Sequence, residues 1–330
     1  MSELPRLLLV GPDRHGVAIY ARQLAAAVGR LDAAAPAPLP VDPLAPEAAA
    51  FTLRGTRGAP LPGSPVHLHA TDRILGATPE LAADWVEYLA GTAPVTVTLH
   101  DLPQPSDGVR NLPRRAESYR RIAGASSGVV FNSAHERALF AEYIGEEPPG
   151  STVIPLPVVV PVAAPRQGRL ALATTLRDIA VLGFLYPGKG HAEVLGAILE
   201  LRAGPSQVRS DLGLLALGAV SPGSEHELTA LRARAEASDI RFMVTGFLAD
   251  AELERRARLA AVPVAAHRHV SASGSIGSWI SAGRRPLVAA SRYVDEMARL
   301  RPGTMTVYPE GGLAEAIRVA LADPASTWLA

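Results

Sequence analysis

The chain has 330 residues, no cysteine, and 32 basic against 32 acidic residues. This length is long for one hydrophobic core and suits two domains. The balanced charge argues against a general nucleic-acid binder, and the missing cysteines exclude disulfides and thiolate metal sites. No stretch has the pattern of a signal peptide or a membrane span, so we expect a cytoplasmic protein, and the Ala-, Arg-, Pro- and Gly-rich composition indicates a bacterial source.

The first half of the chain alternates short apolar runs with helical patterns. Runs rich in Val, Ile and Leu predict strands at 6–11, 66–70, 95–101, 128–133 and 152–158. The intervening periodicity predicts helices at 17–28, 79–90 and 134–144. The Pro- and Ala-rich segment 33–50 is interpreted as an irregular surface connection.

The second half repeats this alternation. Its predicted strands are 179–185, 212–220, 240–247, 262–267, 286–291 and 305–309. Its predicted helices are 190–203, 224–237, 250–259, 274–282 and 312–321. Pro and small residues interrupt the rhythm at 158–168, so we divide the chain into an N-terminal domain, 1–160, and a C-terminal domain, 161–330. Apolar strands that alternate with helices form parallel sheets covered on both faces, which predicts an α/β fold of two doubly wound Rossmann-like domains facing a cleft.

Ligands of such sheets bind in the loops that follow the carboxyl ends of strands. The first such loop, VGPDRHG, contains Arg14, His15 and Gly16 at a predicted helix start. It matches neither the dinucleotide nor the Walker pattern, and a plain tight turn is the alternative. The next ends a predicted strand with His100 and Asp101. A histidine there can donate to a phosphate or sugar hydroxyl or move a proton near neutral pH, as a catalytic residue does, and a structurally satisfied ring is the alternative.

The loop YPGKG holds Lys189, the only lysine in the chain, between Gly188 and Gly190. Everywhere else the sequence uses arginine for positive charge, so this lysine is a candidate for a specific contact. It lies at a predicted helix start, where an ammonium and free backbone N–H groups suit a diphosphate.

The loop SASGSIG opens another predicted helix with small residues. Ser273, Gly274 and Ser275 offer hydroxyls and amides to an anion at this helix start, and ordinary N-capping is the alternative. Two helix starts of this kind in one domain favour a diphosphate ligand.

Two further groups have several interpretations. The pairs His67/His69 and His267/His269 each share one strand face, but neither has an evident third zinc ligand, so no metal is expected. A run of arginines at 110–121 predicts a solvated helix face, with an anionic acceptor or an acidic membrane surface as alternatives. These arginines are Arg110, Arg114, Arg115, Arg120 and Arg121.

An ordered series of segments resembles the retaining glycosyltransferases of family four, which have the GT-B fold. The segments are VGPDRHGVAIYARQLA, VTLHD, VVFNSAHERALF, VIPLPV, GFLYPGKGHAEVL, VTGFLADAELERR and SAGRRPLVAAS, over about residues 6–320. The resemblance implies that a hexose-type sugar moves from a nucleotide-diphosphate sugar to the hydroxyl of a glycan, glycolipid or small metabolite, without metal or other cofactor. It also implies a donor-binding C-terminal domain and an acceptor-binding N-terminal domain.

The same resemblance implies roles for single residues. Gly16 would lie beneath the transferred sugar, His100 would contact that sugar, and Lys189 would neutralise the diphosphate. The turn that would border the nucleotide base is Gly246, Phe247 and Leu248. The residues expected on the acceptor side are Arg14, His15, Asp101 and Asn132.

The sequence departs from the family pattern at two places. Phe184 stands where the family usually has an arginine, and Arg284 and Arg285 are the candidates to replace its charge. Between Ser271 and Trp279 there is no carboxylate, although the family usually has two glutamates there. These departures leave open a non-catalytic GT-B-like protein that binds nucleotide sugars or serves as a scaffold, and a nucleotide-sugar epimerase is a further alternative.

Overall fold

The computed structural model describes residues 4–32, 35–41, 63–158, 177–204, 211–267 and 269–329. The chain divides into two compact units, Met1–Leu156 and Pro157–Ala330. The predicted boundary after residue 160 lies outside the described residues.

The first unit contains one sheet of parallel strands. Its strands are β1 (Arg6–Val10), β2 (Leu39–Val41), β3 (Val66–Ala70), β4 (Val95–Leu99), β5 (Gly128–Phe131) and β6 (Thr152–Val153). They are arranged in the order β2-β1-β3-β4-β5-β6. Strand β2 lies within 33–50, so the prediction of an irregular connection was wrong there. This short strand has no apolar period of its own, and its pairing with β1 supplies the backbone hydrogen bonds.

Helices cover the first sheet. They are α1 (Gly16–Leu31), α2 (Asp72–Leu75), α3 (Pro79–Ala90), α4 (Gly108–Ala125) and α5 (Ala134–Tyr143). Local signals explain the start of α3, where Thr78 accepts a hydrogen bond from the N–H of Leu81 and Pro79 fills the first turn. Helix α2 was not predicted, because four residues are too few to show a helical period.

The second unit repeats the architecture with another strand order. Its strands are β7 (Asp178–Leu182), β8 (Gly213–Leu217), β9 (Phe242–Val244), β10 (Val262–Ala265), β11 (Leu287–Ala289) and β12 (Thr306–Tyr308). Their order is β12-β11-β10-β7-β8-β9, with all neighbours parallel. Its helices are α6 (His191–Ala203), α7 (Glu225–Glu236), α8 (Asp250–Leu259), α9 (Gly274–Ser281), α10 (Arg292–Leu300) and α11 (Leu313–Ala322).

Strand β7 shows why the second sheet is covered on both faces. Ile179 and Val181 belong to one buried apolar cluster, whereas Ala180 and Leu182 belong to another. Successive side chains of a strand point to opposite faces, so an unbroken apolar strand requires a helical layer on each side. The prediction of two doubly wound α/β units is confirmed.

Candidate functional site

The order of the second sheet identifies its ligand-binding edge. Strands β7 and β10 are neighbours, but the chain continues from β7 to β8 on one side and from β10 to β11 on the other. This reversal opens a crevice beyond the carboxyl ends of the two strands, where ligands of doubly wound sheets bind. The described residues of the loops at that crevice are 183–190, after β7, and 266–267 with 269–273, after β10.

Lys189 occupies the first of these loops and is buried, with 7% of its surface exposed. Its Nζ donates to Oγ of Ser275 at 3.2 Å and to Nε2 of His267. The lysine chain runs over Gly183, where a Cβ atom would lie 3.1 Å from Cε and 3.2 Å from Nζ. Gly183 has φ 111°, so a glycine is required there both for the backbone and for the lysine.

Lys189, His267 and Ser275 form a cluster, the Lys189 cluster, whose electrostatics favour binding of an anion. Burial lowers the pKa of Lys189 from 10.5 to about 7, and no carboxylate among the described residues opposes this shift. Burial, and then the charge of Lys189, hold the pKa of His267 well below its ordinary value, so its Nε2 accepts from the ammonium. A buried cation without a carboxylate partner is stabilised when an anion binds beside it.

The start of α9 adds hydroxyl groups to the cluster. Ser273 is the N-cap, because its Oγ accepts from the N–H of Ile276 at 3.3 Å, and its own N–H donates to the hydroxyl of Tyr293. Its Oγ lies 3.2 Å from that of Ser275, which contacts Lys189. Gly274 is exposed at this helix end. The predicted capping role holds for Ser273, and Ser275 belongs to the Lys189 cluster.

The glycines beside Lys189 differ in their surroundings. Gly188 has φ 85° and open space at its Cβ position, whereas Gly190 has φ 109° and packs against Ala266. A Cβ on Gly190 would lie 2.8 Å from that of Ala266 and 2.9 Å from its carbonyl. Gly190 therefore joins the start of α6 to the end of β10, which brings the two loops of the crevice together.

The turn predicted to border a nucleotide base follows β9, and β8 separates it from β7. Gly246 has φ 72°, Phe247 is 48% exposed, and Leu248 packs against the apolar core. This turn is therefore not part of the Lys189 cluster, although its exposed ring remains accessible to a planar ligand.

Arg284 does not replace the arginine missing at Phe184. Its side chain is fully buried, and its guanidinium donates to the carbonyls of Ala257, Ala260 and Thr327. Burial lowers its pKa to about 9. The guanidinium of Arg284 donates hydrogen bonds to backbone carbonyls at the end of α8, so it cannot contact a diphosphate.

In the first sheet, the chain continues from β1 to β2 on one side and from β3 to β4 on the other, so the strand order reverses between β1 and β3. The loop after β1 places Arg14, His15 and Gly16 together at the start of α1, where Nδ1 of His15 accepts from the N–H of Val17 at 3.3 Å. Burial, and then the charge of Arg73, lower the pKa of His15. Arg14 and Gly16 are exposed, so the helix start remains accessible.

A chain of hydrogen bonds fixes the protons of two buried histidines. Nδ2 of Asn132 donates to the carbonyl of Leu99 at 2.7 Å and to the carboxylate of Glu136 at 3.0 Å, and lies 3.4 Å from Nδ1 of His100. Both amino hydrogens are used by these two acceptors, so Asn132 has no further hydrogen to donate to His100. We assign the lone pair to Nδ1 of His100 because a proton there would point at the N–H groups of Asn132. Nε2 of His100 therefore carries the proton and donates to Nδ1 of His69 at 3.0 Å. The proton of His69 is then on its Nε2, which has no partner among the described residues.

His69 and His267 were noted in the sequence only as members of two histidine pairs, and neither was selected as a site residue. Burial lowers the pKa of His69 to about 2 and that of His100 to about 3, so both rings are neutral. The ring of Tyr20 covers them, with centroids 4.8 Å from His69 and 5.8 Å from His100. The only sequence signal was the spacing of His67 and His69, whose rings lie on one face with centroids 5.2 Å apart.

Asn132 is not placed as expected for a residue that contacts an acceptor. It is 1% exposed, and its amino group is bonded within the protein. It orients His100 instead.

The arginine run on α4 does not form a single solvated face. Arg115 is 5% exposed and donates to Asp72 at 2.9 Å, to Asp107 at 2.7 Å and to the backbone carbonyl of Asp101 at 2.7 Å. Asp101 has φ 51°, so this arginine holds a left-handed residue directly after His100. The expectation of a surface contact was wrong for Arg115, because the network of acidic residues buries it.

The other arginines of this run lie at the surface, and most have acidic partners within the unit. Arg114 pairs with Glu80 of α3, and Arg120 with Glu117 of its own helix. Arg121 pairs with Asp84 and Glu87, while Arg110 is exposed.

Among the described residues, no group of three or more His, Asp or Glu side chains is arranged to hold a metal ion. Over the same ranges, no helix combines the length and the apolar character needed to cross a membrane.

Solved structures match the chain by fold. Sucrose-phosphate synthase from Thermosynechococcus elongatus superposes with a TM-score of 0.70 over 99% of this chain and 92% of that one, at 16% identity. Anabaena HepE in complex with UDP superposes with a TM-score of 0.62 over 98% of this chain and 92% of that one, at 16% identity. UDP-forming α,α-trehalose-phosphate synthase from Burkholderia xenovorans superposes with a TM-score of 0.59 over 79% of this chain and 67% of that one, at 14% identity. Neither a family profile nor a curated protein matches at the level of sequence. The two-unit α/β architecture matches that of these GT-B glycosyltransferases.

Proposed function

We propose that the protein is a retaining, metal-independent glycosyltransferase that moves a hexose-type sugar from a nucleotide-diphosphate sugar to a hydroxyl acceptor. The observation that carries this proposal is the ammonium of Lys189, buried at the β7–β10 crevice without a carboxylate partner in the part of the chain that the structure describes. The likeness in fold to structures described as UDP complexes and as UDP-forming enzymes supports it.

In this function, the second unit binds the donor. Lys189 and Ser275 hold the diphosphate, and the amides at the start of α9 add the positive end of a helix. These groups stabilise the charge that develops on the diphosphate as the glycosidic bond breaks. The positive charge that such a leaving group requires comes from the ammonium, so the proposal includes no metal ion.

The first unit binds the acceptor and positions the reacting sugar. Arg14 and Gly16 are exposed in the loop after β1, so this loop offers the acceptor an accessible polar edge. His100 is neutral and hydrogen-bonded to His69, so it acts as a positioning group rather than as a nucleophile. The leaving phosphate oxygen takes the acceptor proton on the same face of the sugar.

A second candidate is a protein that binds nucleotide sugars without transferring them. The sequence from Ser271 to Trp279 contains no carboxylate, so the loop beside Lys189 offers no acidic group to the ribose or to the sugar. Binding then takes place without a carboxylate contact from this loop.

One experiment separates these functions. The purified protein is screened by thermal shift against UDP, GDP, ADP and dTDP, and the corresponding nucleotide sugars are then assayed for hydrolysis and transfer. Stabilisation together with sugar release supports the transferase. Stabilisation without any release supports the binding protein, and the absence of stabilisation by all four nucleotides contradicts both.

A further inference from the structure

The proposed function gives no role to the buried imidazole of His191. His191 is the first residue of α6 and is 1% exposed. Neither ring nitrogen has a hydrogen-bond partner among the described residues. A neutral imidazole has one donor and one acceptor, and buried side chains in folded proteins rarely leave both unused. The position therefore needs an explanation.

The neighbours of His191 belong to the Lys189 cluster. Lys189 precedes it by two residues, and Gly190 between them packs against Ala266, directly before His267. Burial, and then the charge of Lys189, lower the pKa of His191 to about 3, and His191 in turn contributes to the low pKa of His267. The ring is thus neutral, is two residues from Lys189 in the chain, interacts electrostatically with Lys189 and His267, and keeps one N–H to donate.

We propose that His191 is a second hydrogen-bond donor to the phosphate group that Lys189 and Ser275 bind. This inference rests on the proposed function, and it makes the imidazole a binding residue that needs its ligand to be satisfied. Without ligand, the unpaired nitrogens destabilise the fold. The competing explanation is that the ring fills space in the apolar layer under α6, and the two explanations predict opposite effects on stability.

The test uses His191→Leu, which removes both nitrogens at similar volume, and His191→Asn and His191→Gln, each of which retains an N–H at a different distance from the backbone. His226→Leu on α7 is the matched control, because that histidine is exposed in the same unit. For each variant, Tm is measured without ligand, and the Kd values of inorganic pyrophosphate and UDP are measured by calorimetry.

We expect His191→Leu to have an unchanged or higher Tm and to bind pyrophosphate and UDP about 10-fold more weakly or worse. One of the amide variants recovers part of this loss, and the control changes neither quantity. A leucine variant that binds pyrophosphate as tightly as the wild type overturns the proposal. So does a leucine variant that has a lower Tm or fails to fold, because the ring is then a packing residue.

The outcome is distinguishable from a failure of the proposed function. In one outcome the wild type binds pyrophosphate, with weaker binding by His191→Leu, yet neither binds UDP nor acts on nucleotide sugars. That result contradicts the transferase and supports the contact between His191 and phosphate. Wild-type protein that binds neither pyrophosphate nor UDP overturns the inference itself.

Discussion

The ammonium of Lys189 lies 3.2 Å from the hydroxyl of Ser275, and these two residues come from opposite sides of the strand reversal in the second sheet. Sequence separates them by 86 residues. Their contact places a buried positive charge at the start of α9, in the region where doubly wound sheets bind phosphate groups.

Replacement of this charge tests its part in transfer. We expect Lys189→Ala to reduce turnover by about 100-fold or more, the loss typical of one group that stabilises transition-state charge. Turnover is measured with a saturating nucleotide sugar that the wild type accepts. Arg255→Ala, which removes an exposed cation of the same unit, is the control. A Lys189→Ala enzyme with a near-normal rate contradicts the role of the ammonium.

The pH dependence of stability tests the burial of Lys189. Its pKa is about 7 in the folded protein and about 10.5 in the unfolded chain, so the unfolded state binds more protons between these values. The free energy of unfolding of the ligand-free protein should therefore rise from pH 7 towards pH 10, by at most about 1.4 kcal/mol per pH unit from this group. Below pH 7 the destabilisation is fully present.

This effect is measurable because the chain has no other lysine. Urea unfolding of the wild type and of Lys189→Met is compared between pH 7.5 and 9.5, and only the wild type should gain this stability. Diphosphate affinity should fall over the same interval, because the ammonium is lost. Identical pH slopes in the two proteins would falsify the depressed pKa.

The buried arginine of α4 predicts a contrast between neighbours in sequence. Arg115→Met should lower the free energy of unfolding by about 3–5 kcal/mol, because it leaves the carboxylate of Asp72 buried without its cation. Arg114→Met should change stability little, since its pair with Glu80 is exposed to solvent. Denaturant unfolding of both variants checks this, and equal losses would mean that Arg115 is not buried as described.

The histidine chain predicts a proton arrangement that NMR can read. Nitrogen-15 spectra of the histidine side chains should show the Nε2–H form for both His69 and His100, neutral down to about pH 4. Asn132→Asp should alter the spectrum of His100, because a carboxylate replaces the amino group that faces its Nδ1. An Nδ1–H signal from either ring in the wild type contradicts the chain.

Two glycines of one loop should respond differently to the same substitution. Both Gly188 and Gly190 are left-handed, so alanine at either site should cost about 1–2 kcal/mol in backbone conformation. Gly190→Ala should cost more than Gly188→Ala, because its Cβ would meet Ala266. Unfolding curves measure the difference, and equal effects would show that α6 is not held against β10.

Much of the fold could be predicted because its signals are local. Strand β7 consists almost entirely of the apolar run 179–182, and helices such as Pro79–Ala90 carry their own cap and period. Strand β2 and helix α2 could not be predicted in this way. Their few residues depend on pairing and packing with distant parts of the chain.

The sequence by itself determined the alternation of strands and helices, the lone lysine on a glycine-rich turn, and the small residues at a second helix start. Only the tertiary structure decided which polar groups meet. It brought His267 and Ser275 to Lys189, buried Arg115 among acidic residues, and linked His69 to His100. The physical reason is that periodicity reports the environment of one segment, whereas parallel strands join residues that are tens of positions apart.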